Sequence, residues 1–272
     1  MLHGLAPRTM RPSPVQFALP RPGKAIAGMM ITLSVLWVAL AVSVNWINVG
    51  TSVAAFMAGT SSGVLHGQIW RLFTAPLIHD TSNPWHLLTT LLGLWFLAPS
   101  LEERWGPRRM LVFLLGSAAF AFAMQVLVGL LVTKLNRSLW FGGLGMIEAV
   151  AVAWALSNRD SQVRMFFLLP VSAMTMVFIV FALSVLNVIA LNEHTHEGLV
   201  TPFGGMLAGW LFSDRSPLRR LYLQLKLRRL QAETAKLRAD QAAATRARRA
   251  EGPALRVIDG GKAPPKDKRE LN

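Results

Sequence analysis

Hydrophobic positions along this chain come in long unbroken runs, and the charged residues collect in the short stretches between them. Six runs predict helices over about 25–45, 85–98, 110–132, 140–156, 166–190 and 200–213. None shows the period of two that strands of an outer-membrane barrel require. Runs this apolar, joined by short charged loops, point to an all-α integral membrane protein. The fourth run opens Trp140-Phe141-Gly142-Gly143-Leu144-Gly145-Met146-Ile147-Glu148. Gly142, Gly143 and Gly145 cost backbone entropy in a helix, and in a bilayer they let a neighbouring backbone come close. Glu148 puts an ionisable group near membrane depth, where such groups are rare and mark functional sites. It lies four residues after Leu144, so both fall on one helical face.

Residues 1–24 hold five prolines and four basic residues and are expected to be disordered. The run from Ala25 is long for a signal peptide and is read as an uncleaved anchor helix. The segment from Trp46 to Trp85 is long and mostly apolar or small, which suits the membrane interface. It carries Trp70-Arg71, Thr74 and His79. His86 falls about one turn into the second run, and Glu102-Glu103-Arg104-Trp105-Gly106 reads as a compact charged turn. In the fifth run Ser172, Thr175, Ser184 and Asn187 serve as helix–helix glue. The loop Asn192-Glu193-His194-Thr195-His196-Glu197 is dense in ligand types. Its two histidines are only two apart, so the expectation is a solvated loop and no metal site. In the last run Gly205 and Gly209 form a small-xxx-small pair for close packing on another helix.

Past the runs, residues 214–242 predict a basic amphipathic helix with Leu223, Leu227, Leu230, Thr234 and Leu237 on one stripe. Anionic lipid is its expected partner. The stripe offers too few heptads to argue a coiled coil, and no nucleic-acid module is recognisable. Residues 243–272 are expected to be disordered.

Composition sharpens this picture in two ways. The absence of cysteine excludes disulfides, thiolate zinc sites, cysteine nucleophiles and iron–sulfur clusters. The net charge of +14 is also uneven: residues 1–24 contribute +4, and the tail from Asp214 holds 16 Lys/Arg against 7 Asp/Glu. The positive-inside rule then places both termini in the cytoplasm, as an even number of spans in the cell membrane requires.

In order and spacing, Trp70-Arg71 with Thr74, His79, His86, Glu102…Arg104…Gly106, the glycine-rich start of the fourth run, and Gly205 with Gly209 resemble the rhomboid family of intramembrane serine proteases. The resemblance implies a six-helix bundle over 25–213, with a short central fourth helix and a first loop half-sunk in the membrane. Family chemistry needs a serine in a Gly-x-Ser-Gly motif on span four and a histidine base on span six. It also uses a His-x-x-x-Asn motif on span two. Here the motif reads Gly142-Gly143-Leu144-Gly145, so Leu144 stands at the nucleophile position. Pro202 stands at the base, and His86 is followed by Thr90 where the family has Asn. A leucine has no lone pair to attack with, and a proline offers no proton acceptor in its ring.

The expectation is therefore a rhomboid-like protein without the Ser/His dyad and without a cofactor, which binds transmembrane segments of other membrane proteins or serves a membrane assembly. Two alternatives stand beside it. One is an active intramembrane serine endopeptidase with displaced catalytic residues; the other is an ion- or proton-handling protein using His86 and Glu148. Another hydroxyl within bonding reach of an imidazole inside the bundle is the observation that would sink the silent-homologue reading.

Overall fold

Proline marks where several helices begin. Pro84, Pro99 and Pro107 each occupy the first position of a helix, where the missing N–H would have had no partner anyway. The computed structural model describes residues 20–47, 49–159, 162–165, 169–191, 196–214 and 216–252. In chain order it contains α1 (Lys24–Asn45), the short helices α2 (Thr51–Met57), α3 (Ser61–Leu65) and α4 (Arg71–Thr74), then α5 (Pro84–Leu97), α6 (Pro99–Trp105) and α7 (Pro107–Leu131). There follow α8 (Leu144–Ser157), a hairpin of β1 (Gln162–Met165) and β2 (Leu169–Ser172), α9 (Ala173–Ile189), α10 (Thr201–Phe212) and α11 (Pro217–Glu251). The chain divides into two units after Arg220, and among the described residues the second is the rest of α11.

In the first unit, α1 and α7 are long and apolar enough to cross a membrane. The 14 residues of α8 rise only about 21 Å, less than the roughly 30 Å of a hydrocarbon core. That length suffices because α8 is the central post of the bundle, with ten of its residues buried, and it packs on α5, α7, α9 and α10. The peripheral helices are the reverse. Ile31, Val35, Val38 and Val42 on α1, and Phe178, Leu183, Leu186 and Ile189 on α9, are exposed. A protein in water rarely leaves apolar faces of this extent bare; against lipid they lose nothing.

Two contacts fix the helices axially. At the start of α1 the Glu102 carboxylate accepts the Ala25 N–H at 2.8 Å and the Ile26 N–H at 3.0 Å. It thereby satisfies two otherwise unpaired donors and places negative charge at the positive helix end. Arg104 instead bonds back to the Ser100 carbonyl (3.0 Å), and Gly106, at φ +80°, makes the turn between α6 and α7 that a side chain would strain. Where α10 ends, Asp214 pairs with Arg109 (2.7 Å), Arg219 and the Trp105 indole N–H, and the Arg109 guanidinium lies over the Trp105 ring.

Three boundaries differ from those expected. The fourth helix begins at Leu144, not 140, because Gly142 takes φ +124° and the backbone before it pairs with other loops. The fifth begins at Ala173, not 166. Pro170 disfavours helix in the residue before it, and the chain there pairs antiparallel from Gln162↔Ser172 to Met165↔Leu169. Ser172 then caps α9 by accepting the Thr175 N–H (3.1 Å). The tail helix runs to Glu251, past the expected end at 242, since Ala and Arg are strong helix formers. Of the disorder expected over 1–24 and 243–272, Lys24 instead opens α1 and residues 243–251 are helical; residues 1–19 and 253–272 lie outside the described residues, as do residues 192–195.

The small-xxx-small pair of α10 works as its spacing suggests. A Cβ on Gly205 would run into the Gly145 carbonyl of α8, and one on Gly209 into the Ala149 carbonyl. Backbone therefore meets backbone at two points about one turn apart. Gly205→Val should force the helices apart and destabilise the protein by about 1–3 kcal/mol or more, measured as a lower thermal midpoint of the helical circular dichroism in detergent. An unchanged midpoint would show that the contact is not needed.

Candidate functional site

The N-terminus of α8 is positioned by a stretch whose backbone is used up by loops from elsewhere. Trp140 exchanges two backbone hydrogen bonds with Gly59 (2.8 and 2.9 Å), the Phe141 N–H reaches the His196 carbonyl (2.9 Å), and the Gly142 N–H reaches the Ala75 carbonyl (3.0 Å). The Trp140 side chain is fully buried and stacks on Phe122, in space that only a glycine at 59 leaves open. Around the first loop, Arg71 holds the carbonyls of Ala55 (2.6 Å) and Ala58, and Thr74 donates to that of Met57 (2.7 Å). The C-terminal end of α2 is satisfied in this way. Trp70 stacks on Phe56 of α2. These residues brace the loop and do not enter the cleft.

The cleft itself, about 350 Å³, is lined by Asn83, Trp85, His86, Thr89, Leu144, His196 and Glu197. At its floor the Glu197 carboxylate accepts the Leu144 N–H through Oε2 (2.7 Å) and bonds His86 Nε2 through Oε1 (2.8 Å). His86 Nδ1 accepts the Asp80 N–H (3.0 Å), which leaves the ring proton on Nε2, where it is donated to Glu197. Glu197 is only 6% exposed. Burial pushes its carboxyl up from the ordinary range, while His86 and the Leu144 N–H pull it back. A Cβ at Gly142 would overlap that carboxyl group, so the glycine is required both by its φ and by its neighbour. Asp80 also pairs with His196 Nε2 (3.2 Å), and the His196 ring stacks on Phe141.

Beneath this lies a second pair. His79 Nε2 and Thr90 Oγ1 are 3.0 Å apart, and each residue is 3% exposed. Their rings and methyls close over Gly143, whose missing side chain makes the room. Burial, with the neighbouring His86 adding to it and a bond to the Leu77 carbonyl opposing, lowers the His79 pKa to about 3. The imidazole is neutral in the folded protein.

The structure thus brings together His79, His86, Thr90, Gly142, Gly143 and Leu144 from the sequence reading. It sets Trp70 and Arg71 on the first loop and Glu102, Arg104 and Gly106 at the starts of α1 and α7. Gly145, Gly205 and Gly209 make the α8–α10 contact. Pro202 is buried in the first turn of α10 and does not line the cleft. Glu148 is buried on α8, and among the described residues it is not paired with His86, whose ring nitrogens are engaged by Asp80 and Glu197. The loop expected to be solvated also differs, because Glu197 turns inward and is the principal polar contact of α8. The signal missed was an acid beside a glycine, Glu197-Gly198, just ahead of a helix whose first turn carries proline. Gly198, at φ +85°, makes the tight turn there. Among the described residues no cluster of three or more His, Cys, Asp or Glu side chains could hold a metal ion. Ser138 is exposed, and His194 lies outside the described residues.

Apolar-faced helices around a buried central helix, with a polar cleft at its N-terminus, define a helical membrane protein. Residues 66–215 match the Rhomboid domain. That match covers more than half of the chain, and the protein belongs to the rhomboid family.

The neutral, buried His79 has a consequence for stability. Below its unfolded value near 6.5 the unfolded chain binds a proton that the folded one refuses until about pH 3. Stability should therefore be full above pH 6.5 and fall as the pH drops, by about 1.4 kcal/mol per unit from this group. Thermal unfolding in detergent from pH 7.5 to 5 should show a steeper loss for the wild type than for His79→Gln. Equal slopes would show that His79 ionises freely.

Proposed function

We propose that this rhomboid-family protein binds transmembrane segments without cutting them, with six spans and both termini on the cytoplasmic side. The observation that carries the reading is the seat of Glu197. The backbone N–H at the nucleophile position is a donor of the kind that stabilises a developing oxyanion, and here it is engaged by the chain's own carboxylate. The side chain at that position is Leu144, and the base position is Pro202, so neither family position carries a group for attack or proton transfer. What remains is a cleft with an apolar rim of Trp85 and Leu144 and a polar floor, suited to a helix end that carries hydrogen-bond donors. The span count and orientation rest on the six apolar helices and on the basic charge of the two termini.

One observation supports a second reading. His79 and Thr90 form a hydroxyl–imidazole pair inside the bundle, the arrangement of a displaced nucleophile and base. Three features weigh against activity. The hydroxyl is closed off from the cleft, the imidazole is too weak a base at its lowered pKa, and among the described residues no carboxylate orients the ring. Purified full-length protein in detergent should take up no serine- or threonine-reactive fluorophosphonate and leave a model transmembrane substrate intact. A photocrosslinker placed at Trp85 should still capture that substrate. Cleavage that disappears in Thr90→Val or His79→Gln would establish the second reading instead, and failure of capture would remove the first.

A further inference from the structure

Helix α11 is exposed at every residue from 221 to 250, an unusual state for a helix carrying a leucine stripe. Its length changes what the stripe can mean. Because the helix continues to Glu251, the stripe positions run Leu223, Leu227, Leu230, Thr234, Leu237, Gln241 and Ala244, five of them apolar and two polar. The spacing is four, three, four, three, four, three throughout, which gives three complete heptads before Arg248 ends the series. On a straight helix such a stripe drifts by about 20° per heptad, a mismatch that left-handed supercoiling around a partner removes. Leu221, Tyr222 and Leu225 add exposed apolar surface beside the stripe in the first turns, but past Leu230 the large apolar side chain exposed on the helix, Leu237, lies on the stripe, and a two-per-heptad seam is the width one helix offers another.

We infer that α11 pairs with the same helix of a second copy of this chain as a parallel, in-register coiled coil. With Leu223, Leu230, Leu237 and Ala244 at d and Leu227, Thr234 and Gln241 at a, the flanking g positions are Lys226, Glu233 and Asp240, and the e positions are Gln231, Arg238 and Thr245. In a parallel pair each g residue faces the e residue five further along the partner. Glu233 then meets Arg238 of the other copy, twice by symmetry, Lys226 meets Gln231, and Asp240 meets Thr245. No like charges face each other at these positions. The polar Thr234 and Gln241 inside the seam weaken it and fix its register. A weak seam is sufficient when both chains are confined to one membrane, because the effective concentration of the tails is high.

The chain has no cysteine, so single cysteines report pairing cleanly. In membranes containing the full-length protein, mild copper–phenanthroline oxidation should give disulfide dimers of Leu223→Cys and of Leu237→Cys. Their yield should be at least fivefold above Leu225→Cys and Ala232→Cys, which lie on the outer face. Adding Glu233→Arg to Leu237→Cys should cut the yield several-fold, and adding Arg238→Glu to that variant should restore it. Equal yields on both faces, no dimer from any variant, or dimer from only one of the two seam positions would overturn the proposal. Yields that follow the anionic lipid content of vesicles and ignore the charge swap would also overturn it, and would assign the helix to the lipid surface.

Discussion

A carboxylate held against the N-terminus of a buried helix governs this structure. The first turn of α8 must leave backbone donors without helical partners. Glu197 supplies the missing acceptor for Leu144, and the helix end in turn favours a negative group at that place. The other carboxylate oxygen holds His86, and His86 holds the backbone of Asp80. One buried acid therefore ties the loop before α10 to the start of α8 and the approach to α5. Glycine at 142 and at 143 follows from this crowding, since a side chain at either position would strike Glu197 or Thr90.

The consequence for the site is a set of polar groups held in fixed mutual geometry. The frame of the rhomboid bundle is retained: a short central helix, an α10 packed on it through bare backbone, and a first loop knit together by Arg71 and Thr74. At the positions where the family resemblance implies a nucleophile and a base, the chain carries Leu144 and Pro202. Polar groups of the site are paired with one another, His86 with Glu197, His79 with Thr90, His196 with Asp80.

The hydrophobic runs announced six helices, and for α1, α5, α7 and α10 the ends lie within a few residues of the composition breaks. Where the breaks misled, the cause was local backbone chemistry that hydropathy does not register. Pro170 converts an apolar stretch into a strand, and Gly142 delays a helix by turning the wrong way for one. The glycine spacing of α10 was readable because close packing leaves a periodic mark. Glu197 was not, because its role depends on a partner 53 residues earlier in the chain. A loop that looks polar by composition gives no sign of which of its acids turns inward. Likewise the pairing of Thr90 with His79 joins a helix to the loop before it through a contact that no periodicity encodes.

The threading of residues 140–144 carries a consequence for synthesis. Gly59 and Ala75 are translated well before Trp140 and Gly142 arrive to bond them, while the partners of Phe141 and Leu144 lie at 196 and 197. A nascent chain halted in α9 would have its central helix inserted with two donors at the start still bare. Completion of the cleft is thus a late event in biogenesis, and an unfinished chain differs from a finished one by exposed amide hydrogens in an apolar setting, a chemical mark by which membrane quality control could tell the two apart.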